Sequence, residues 1–178
     1  MIWHTHVWKL ELSRTASRLR ARMSQRRYPE ASLANLEKEI FLAFYIIRKL
    51  LDSHQISDRV RLSPIRLSSY SAKGKPVTYM NLNNVDELYE FDRERRDHLS
   101  LRELCNQVIH SYIFVPTFRI RGKLDAVLIS SEKRRNDRLY CLKLEEAVRL
   151  FERIAIEEIV ASKATFDAEK QDYKICLA

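Results

Sequence analysis

Arg102, Asn106 and His110 recur at four-residue steps within Ser-Leu-Arg-Glu-Leu-Cys-Asn-Gln-Val-Ile-His, residues 100–110. Residues four apart on a helix stand one above the other. A guanidinium, an amide and an imidazole then form one narrow polar stripe. Leu101, Leu104, Cys105, Val108, Ile109 and Tyr112 fill the adjoining arc, which is the side to be buried. These residue types suit the holding and cleavage of a phosphodiester. A histidine titrates near neutrality and can take a proton from a ribose 2′-OH or give one to the leaving 5′-oxygen. An arginine can stabilise the extra negative charge at phosphorus, and an asparagine can orient a phosphate oxygen or the imidazole. The plainer alternative is an ordinary helix border, with His110 bonded to a neighbour at the edge of the core. Both readings fit the spacing.

The helix that carries the stripe has a marked start. Ser100 and Glu103 have the Ser-x-x-Glu spacing of a capping box, which fixes the phase of the stripe. The helix is expected over 101–114, with Pro116 stopping it. Upstream, residues 3–27 read as a first helix with a weak apolar stripe (Trp3, Val7, Leu10, Ser17, Ala21), broken by Tyr28-Pro29-Glu30. Ser32 is expected to cap the strongest helix, 33–53, where Leu33, Leu36, Ile40, Ala43, Phe44, Ile47, Leu50 and Leu51 recur at helical spacing. Residues 61–67 alternate weakly, as an edge strand containing Pro64 would. Lys73-Gly74-Lys75-Pro76 reads as a turn. A short helix is expected from Val85 to Tyr89, extending towards Arg95. After Pro116 the chain becomes β-prone: 117–122, 126–130 and 139–144 read as strands around a polar loop, 131–138, with Asn136-Asp137 at its turn. A last helix begins near Glu145, and 163–178 read as a polar tail.

Composition narrows the possibilities. A chain of 178 residues is expected to form one domain, residues 1–178. Two glycines and four prolines leave few turns and favour helices. Charged residues make up 31%, with a net charge of +8, which suggests an acidic partner such as nucleic acid. The excess is concentrated at the start: Lys9, Arg14, Arg18, Arg20, Arg22, Arg26 and Arg27 face a single acid, Glu11, within residues 1–28. Arg18, Arg22, Arg26 and Arg27 are candidate phosphate contacts, as are Lys133, Arg134 and Arg135 in the polar loop. Each set is equally a solvated basic face. Cys105, Cys141 and Cys176 are far apart with no CxxC pair, so neither a disulfide framework nor a zinc site is indicated, and a reduced, cytoplasmic setting is expected. No apolar run reaches the length of a membrane span, so no membrane partner is expected. There is no Gly-rich phosphate loop, no GxSxG and no HExxH, so no cofactor and no metal are expected. Glu37 and Glu39 read as solvent or salt-bridge residues.

A long helix such as 33–53, followed by a helix with Asn-x-x-x-His (Asn106 and His110), resembles the HEPN (higher eukaryotes and prokaryotes nucleotide-binding) domains. The family motif has an arginine directly before that asparagine. Here Cys105 stands there, and Arg102 lies one turn earlier. The resemblance implies a mainly α fold: an antiparallel helical bundle, with a small β-hairpin elaboration near residues 117–144. It implies a homodimer bringing two stripes together, and RNA binding with metal-independent ribonuclease chemistry in a toxin–antitoxin or antiviral defence setting, where an antitoxin protein can be a further partner. His110 would be the acid or base, Arg102 the charge stabiliser and Asn106 the orienter. The Cys105 departure equally fits a catalytically silent module that dimerises or binds nucleic acid.

Overall fold

The computed structural model describes residues 4–119, 122–169 and 171–177. Trp3 in the expected first helix, residues 120–121 in the expected hairpin and parts of the expected tail lie outside the described residues. Helices account for 42% of the chain and strands for 28%. The expected helical bundle is therefore corrected to an α/β architecture built on a five-stranded sheet.

The elements in chain order are α1 (Thr5–Met23), α2 (Glu30–Asp52), α3 (Asp58–Arg61), β1 (Ile65–Ser71), α4 (Val85–Leu88), β2 (Arg95–Leu99), α5 (Leu101–Ile109), β3 (Ser111–Phe118), β4 (Leu124–Ser131), β5 (Arg138–Lys143), α6 (Leu144–Ile156), β6 (Ser162–Asp167) and β7 (Asp172–Leu177). The main sheet is antiparallel throughout, in the order β2-β1-β5-β4-β3. β6 and β7 form a separate hairpin where a polar tail is expected. Its last strand is tied back by Leu177 N donating to Asp58 Oδ2 at 3.3 Å.

Both faces of the sheet are covered, and this explains its sequence. β4 lies between two strands and under two layers, so Ala126-Val-Leu-Ile-Ser-Ser131 is buried throughout. Val127, Ile129, Tyr140 and Leu142 face the larger core with α1, α2, α5 and α6. Phe44 of α2 meets Phe151 of α6 there, ring to ring at 5.4 Å. Leu128 and Leu139 face a smaller core under the 77–91 segment, with Val77, Val85, Leu88 and Tyr89.

Local expectations shift for identifiable reasons. α2 starts at Glu30 behind Pro29, which suits the first helical turn. Ser32 is instead an acceptor for Arg22. α5 ends at Ile109, not 114, because Ser111, Ile113, Phe114 and Val115 pair with β4, with Tyr112 at an irregularity between the first two. Pro116 sits inside β3, which tolerates it as the sheet's edge strand. The expected hairpin at 117–144 is thus part of a larger three-strand meander. β1, expected at an edge, is an inner strand between β2 and β5, and the expected helix towards Arg95 stops at Leu88. β2 is the other edge. Its Arg-Arg-Asp-His run is the kind of charged sequence that keeps an exposed edge from pairing further. Among the described residues, no helix is long and apolar enough to cross a membrane.

Candidate nucleic-acid interface

α5 starts as its sequence dictates. Ser100 Oγ accepts from Glu103 N at 3.2 Å, and Ser100 N donates to Glu103 Oε2 at 2.8 Å. The hydrogen bonds from Ser100 hold the Glu103 carboxyl below its ordinary range. Leu101, Leu104, Cys105 and Val108 are buried, so Arg102, Asn106 and His110 do form the outward stripe.

The stripe is divided between two settings. At its start, Arg102 Nη1 lies 2.9 Å from Asp52 Oδ1, at the end of the neighbouring helix α2. Arg48 Nε donates to Asp52 Oδ2 at 2.9 Å, and Arg48 Nη1 donates to Asn106 Oδ1. Four side chains from two helices thus form one chain, Arg102–Asp52–Arg48–Asn106. Burial alone would raise the Asp52 carboxyl. The hydrogen bonds and charges of Arg48 and Arg102 outweigh it and hold the group below its ordinary range.

At the other end, His110 is the exposed C-cap of α5. It lines an open groove of about 330 Å³ with Asn106, Ser131, Glu132 and Lys133. Two bonds set this groove: Ser131 N donates to Gln107 Oε1 at 3.0 Å, and Glu132 N donates to the His110 carbonyl at 3.2 Å. They lock the 131–138 loop to the end of α5. Among the described residues, the His110 and Lys133 side chains make no hydrogen bond or ion pair. The groove therefore takes Asn106 and His110 but not Arg102. About 12 Å of helix axis separates Arg102 from His110, at 1.5 Å per residue.

Cys105, where the sequence resemblance expects an arginine, is fully buried, and burial pushes its thiol up to about 12. It is a neutral core residue. Arg48 and Asp52 are the neighbours of the stripe that sequence reading missed. The available signal was a charged pair four apart at the end of an otherwise apolar helix.

The remaining basic candidates fall into paired and unpaired sets. Arg18 reaches Glu11 at 2.7 Å and Glu39 at 3.1 Å. Arg22, only 12% exposed, bonds Ser32 and Glu39. Glu39 is thus the salt-bridge residue expected. Arg20 forms a two-bond pair with Glu152. Much of the positive charge of α1 is therefore neutralised within the fold. Arg26 and Arg27, beyond the helix, are exposed and have no ion-pair partner among the described residues. In the loop, Arg134 pairs with Asp137 at 2.8 Å, and the Arg135 guanidinium lies over the Tyr112 ring at 4.0 Å. Lys133 is left free to meet an anion. Among the described residues, no group of three His, Cys, Asp or Glu side chains converges to hold a metal ion.

The chain matches no family model, no curated protein and no solved structure.

Proposed function

We propose that this protein binds single-stranded RNA through phosphate contacts at the His110 groove and does not cleave it. One observation carries this reading. His110 and Lys133 stand unpaired beside Asn106 in an open groove, while Arg102 and Arg48 are spent on Asp52. A guanidinium held on a carboxylate is poorly placed to meet the charge that develops at phosphorus. An unpaired lysine and an exposed imidazole can still contact a backbone.

A second reading is favoured by one specific feature. Glu132 lines the same groove as His110. A carboxylate and an imidazole could share the acid and base roles of metal-free 2′-OH attack, with Lys133 beside the phosphate. The experiment is to incubate the purified protein with single-stranded RNA in EDTA and analyse complex and products on gels. A retarded complex containing intact RNA supports binding without cleavage. Fragments ending in 2′,3′-cyclic phosphate, lost in His110→Ala, would establish the second reading instead. Absence of any complex at low salt contradicts both.

A further inference from the structure

The cations with no partner are not concentrated at His110. A larger hollow, about 540 Å³, lies on the β2-β1-β5 end of the main sheet, where Arg66, Arg96 and Lys143 line it with Ser68 and Cys141. A second hollow of about 400 Å³ continues from it and shares Arg66 and Arg96, adding His98. Together they form one trough that shares no residue with the His110 groove.

Strand register explains the row of cations. His98 opposes Arg66 across β2 and β1, and Arg96 opposes Ser68. Ser68 opposes Cys141 across β1 and β5, and the same register continued by two residues sets Lys143 beside Arg66. Opposed residues share a face, so His98, Arg66 and Lys143 cross three strands in a line about 10 Å long, given roughly 4.8 Å per strand. The acids nearby are already engaged. Glu146 receives Arg149 at 2.7 Å, Asp97 Oδ2 accepts from Ser69 Oγ at 3.0 Å, and Glu94 accepts from Ser68. Among the described residues, the Arg66, Arg96 and Lys143 side chains have no hydrogen-bond or ion-pair partner. Further along the same face of β1 lies Tyr70, half-buried, with its ring 4.6 Å from Phe91.

Resting on the nucleic-acid reading above, we infer that this trough is the main track for the backbone of a single-stranded nucleic acid. Three unpaired cations on a concave sheet surface complement a line of phosphates rather than a single ion. The Tyr70 and Phe91 rings, tilted 44° to one another and half-buried against the smaller core, leave part of an aromatic surface at the end of the row for a base to meet, the combination that single-strand binders use. A duplex, with paired and stacked bases, could use the cations but not the aromatic pair.

The test uses the full chain and a labelled oligouridylate at low salt, read by fluorescence anisotropy. Arg66→Glu/Arg96→Glu should weaken binding at least about tenfold. Lys38→Glu/Lys75→Glu, with the same change in net charge on exposed positions elsewhere, should weaken it far less. Arg66→Lys/Arg96→Lys should retain most of the affinity. Arg66→Ala/Arg96→Ala serves if the reversal variant fails to fold, and should weaken binding several-fold. Wild-type binding with trough variants unaffected would overturn this inference and leave the His110 groove as the interface. Equal losses in the trough and control variants would overturn it as well, as would equal affinity for a blunt duplex. No binding by the wild type would overturn both the inference and the reading beneath it.

Discussion

Arg102 Nη1 on α5 lies 2.9 Å from Asp52 Oδ1 on α2, so the first residue of the polar stripe is directed across to the neighbouring helix and not along its own towards His110. The carboxylate that takes it also takes Arg48, and through Arg48 the amide of Asn106. The stripe is therefore a helix–helix clamp at one end and an open groove at the other.

Asp52→Asn should separate these roles. Both partners of the Asp52–Arg102 pair are about half exposed, so solvent screens it and the expected loss is about 0.2–1 kcal/mol. Thermal denaturation checks this. RNA affinity should hold or rise, since two guanidiniums are released. A marked fall in affinity would show that the clamp itself positions the groove.

Acid should weaken the fold in a defined window. Asp52 and Glu103 have depressed pKa values, Asp52 because the Arg48 and Arg102 contacts overcome burial, Glu103 chiefly through Ser100. A depressed carboxyl contributes stability above its unfolded pKa and loses it as pH falls through the folded value. Stability should therefore be flat near neutrality and decline below the ordinary carboxyl values, 3.8 for Asp52 and 4.5 for Glu103. Ser100→Ala removes the cap, should cost about 1 kcal/mol, and should shrink the part of the decline due to Glu103. Urea unfolding between pH 2 and pH 7 measures both.

Cys105→Arg should not restore a ribonuclease. The position is fully buried in the larger core, so the guanidinium would be desolvated and overpacked. The expected cost is about 4 kcal/mol or more, in the exceptional range for single substitutions. A folded Cys105→Arg variant with metal-free RNA cleavage would contradict this placement.

Thiol reactivity should follow burial. Cys176 is exposed, Cys141 half-buried and Cys105 buried. Burial raises Cys141 to about 11 and Cys105 to about 12, which leaves little thiolate at neutral pH. Alkylation of the native protein should label Cys176 first, Cys141 slowly and Cys105 only on unfolding. Early labelling of Cys105 would contradict the core assignment.

What the sequence made legible was local. The Ser100–Glu103 box is read from two residues three apart, and the apolar spacing of α2 is strong enough to stand alone. The meander's last two strands were visible because Ala126–Ser130 and Leu139–Leu144 are apolar enough to announce a sheet. The rest depends on partners distant in sequence. β2 is Arg-Arg-Asp-His-Leu and has no apolar alternation, so only its pairing with β1 makes it a strand. Tyr112 and Ile113 continue the apolar arc of α5 at helical spacing, yet the pairing of Ser111 and Ile113 with β4 draws the segment into β3. The sheet those strands build replaces the expected bundle. For the same reason the sequence groups Arg102 with His110: nothing near it in sequence announces Asp52, fifty residues earlier.

Affinity for single-stranded RNA as salt is raised decides whether the His110 groove binds RNA through its phosphates. The wild type should bind at low salt, with log affinity falling against log salt with a slope of about −2 or steeper, as Lys133 together with Arg66, Arg96 and Lys143 requires. Lys133→Glu should weaken binding across RNA sequences and make the slope shallower by about 1. No binding at low salt, or a Lys133→Glu titration identical to the wild type, would contradict it.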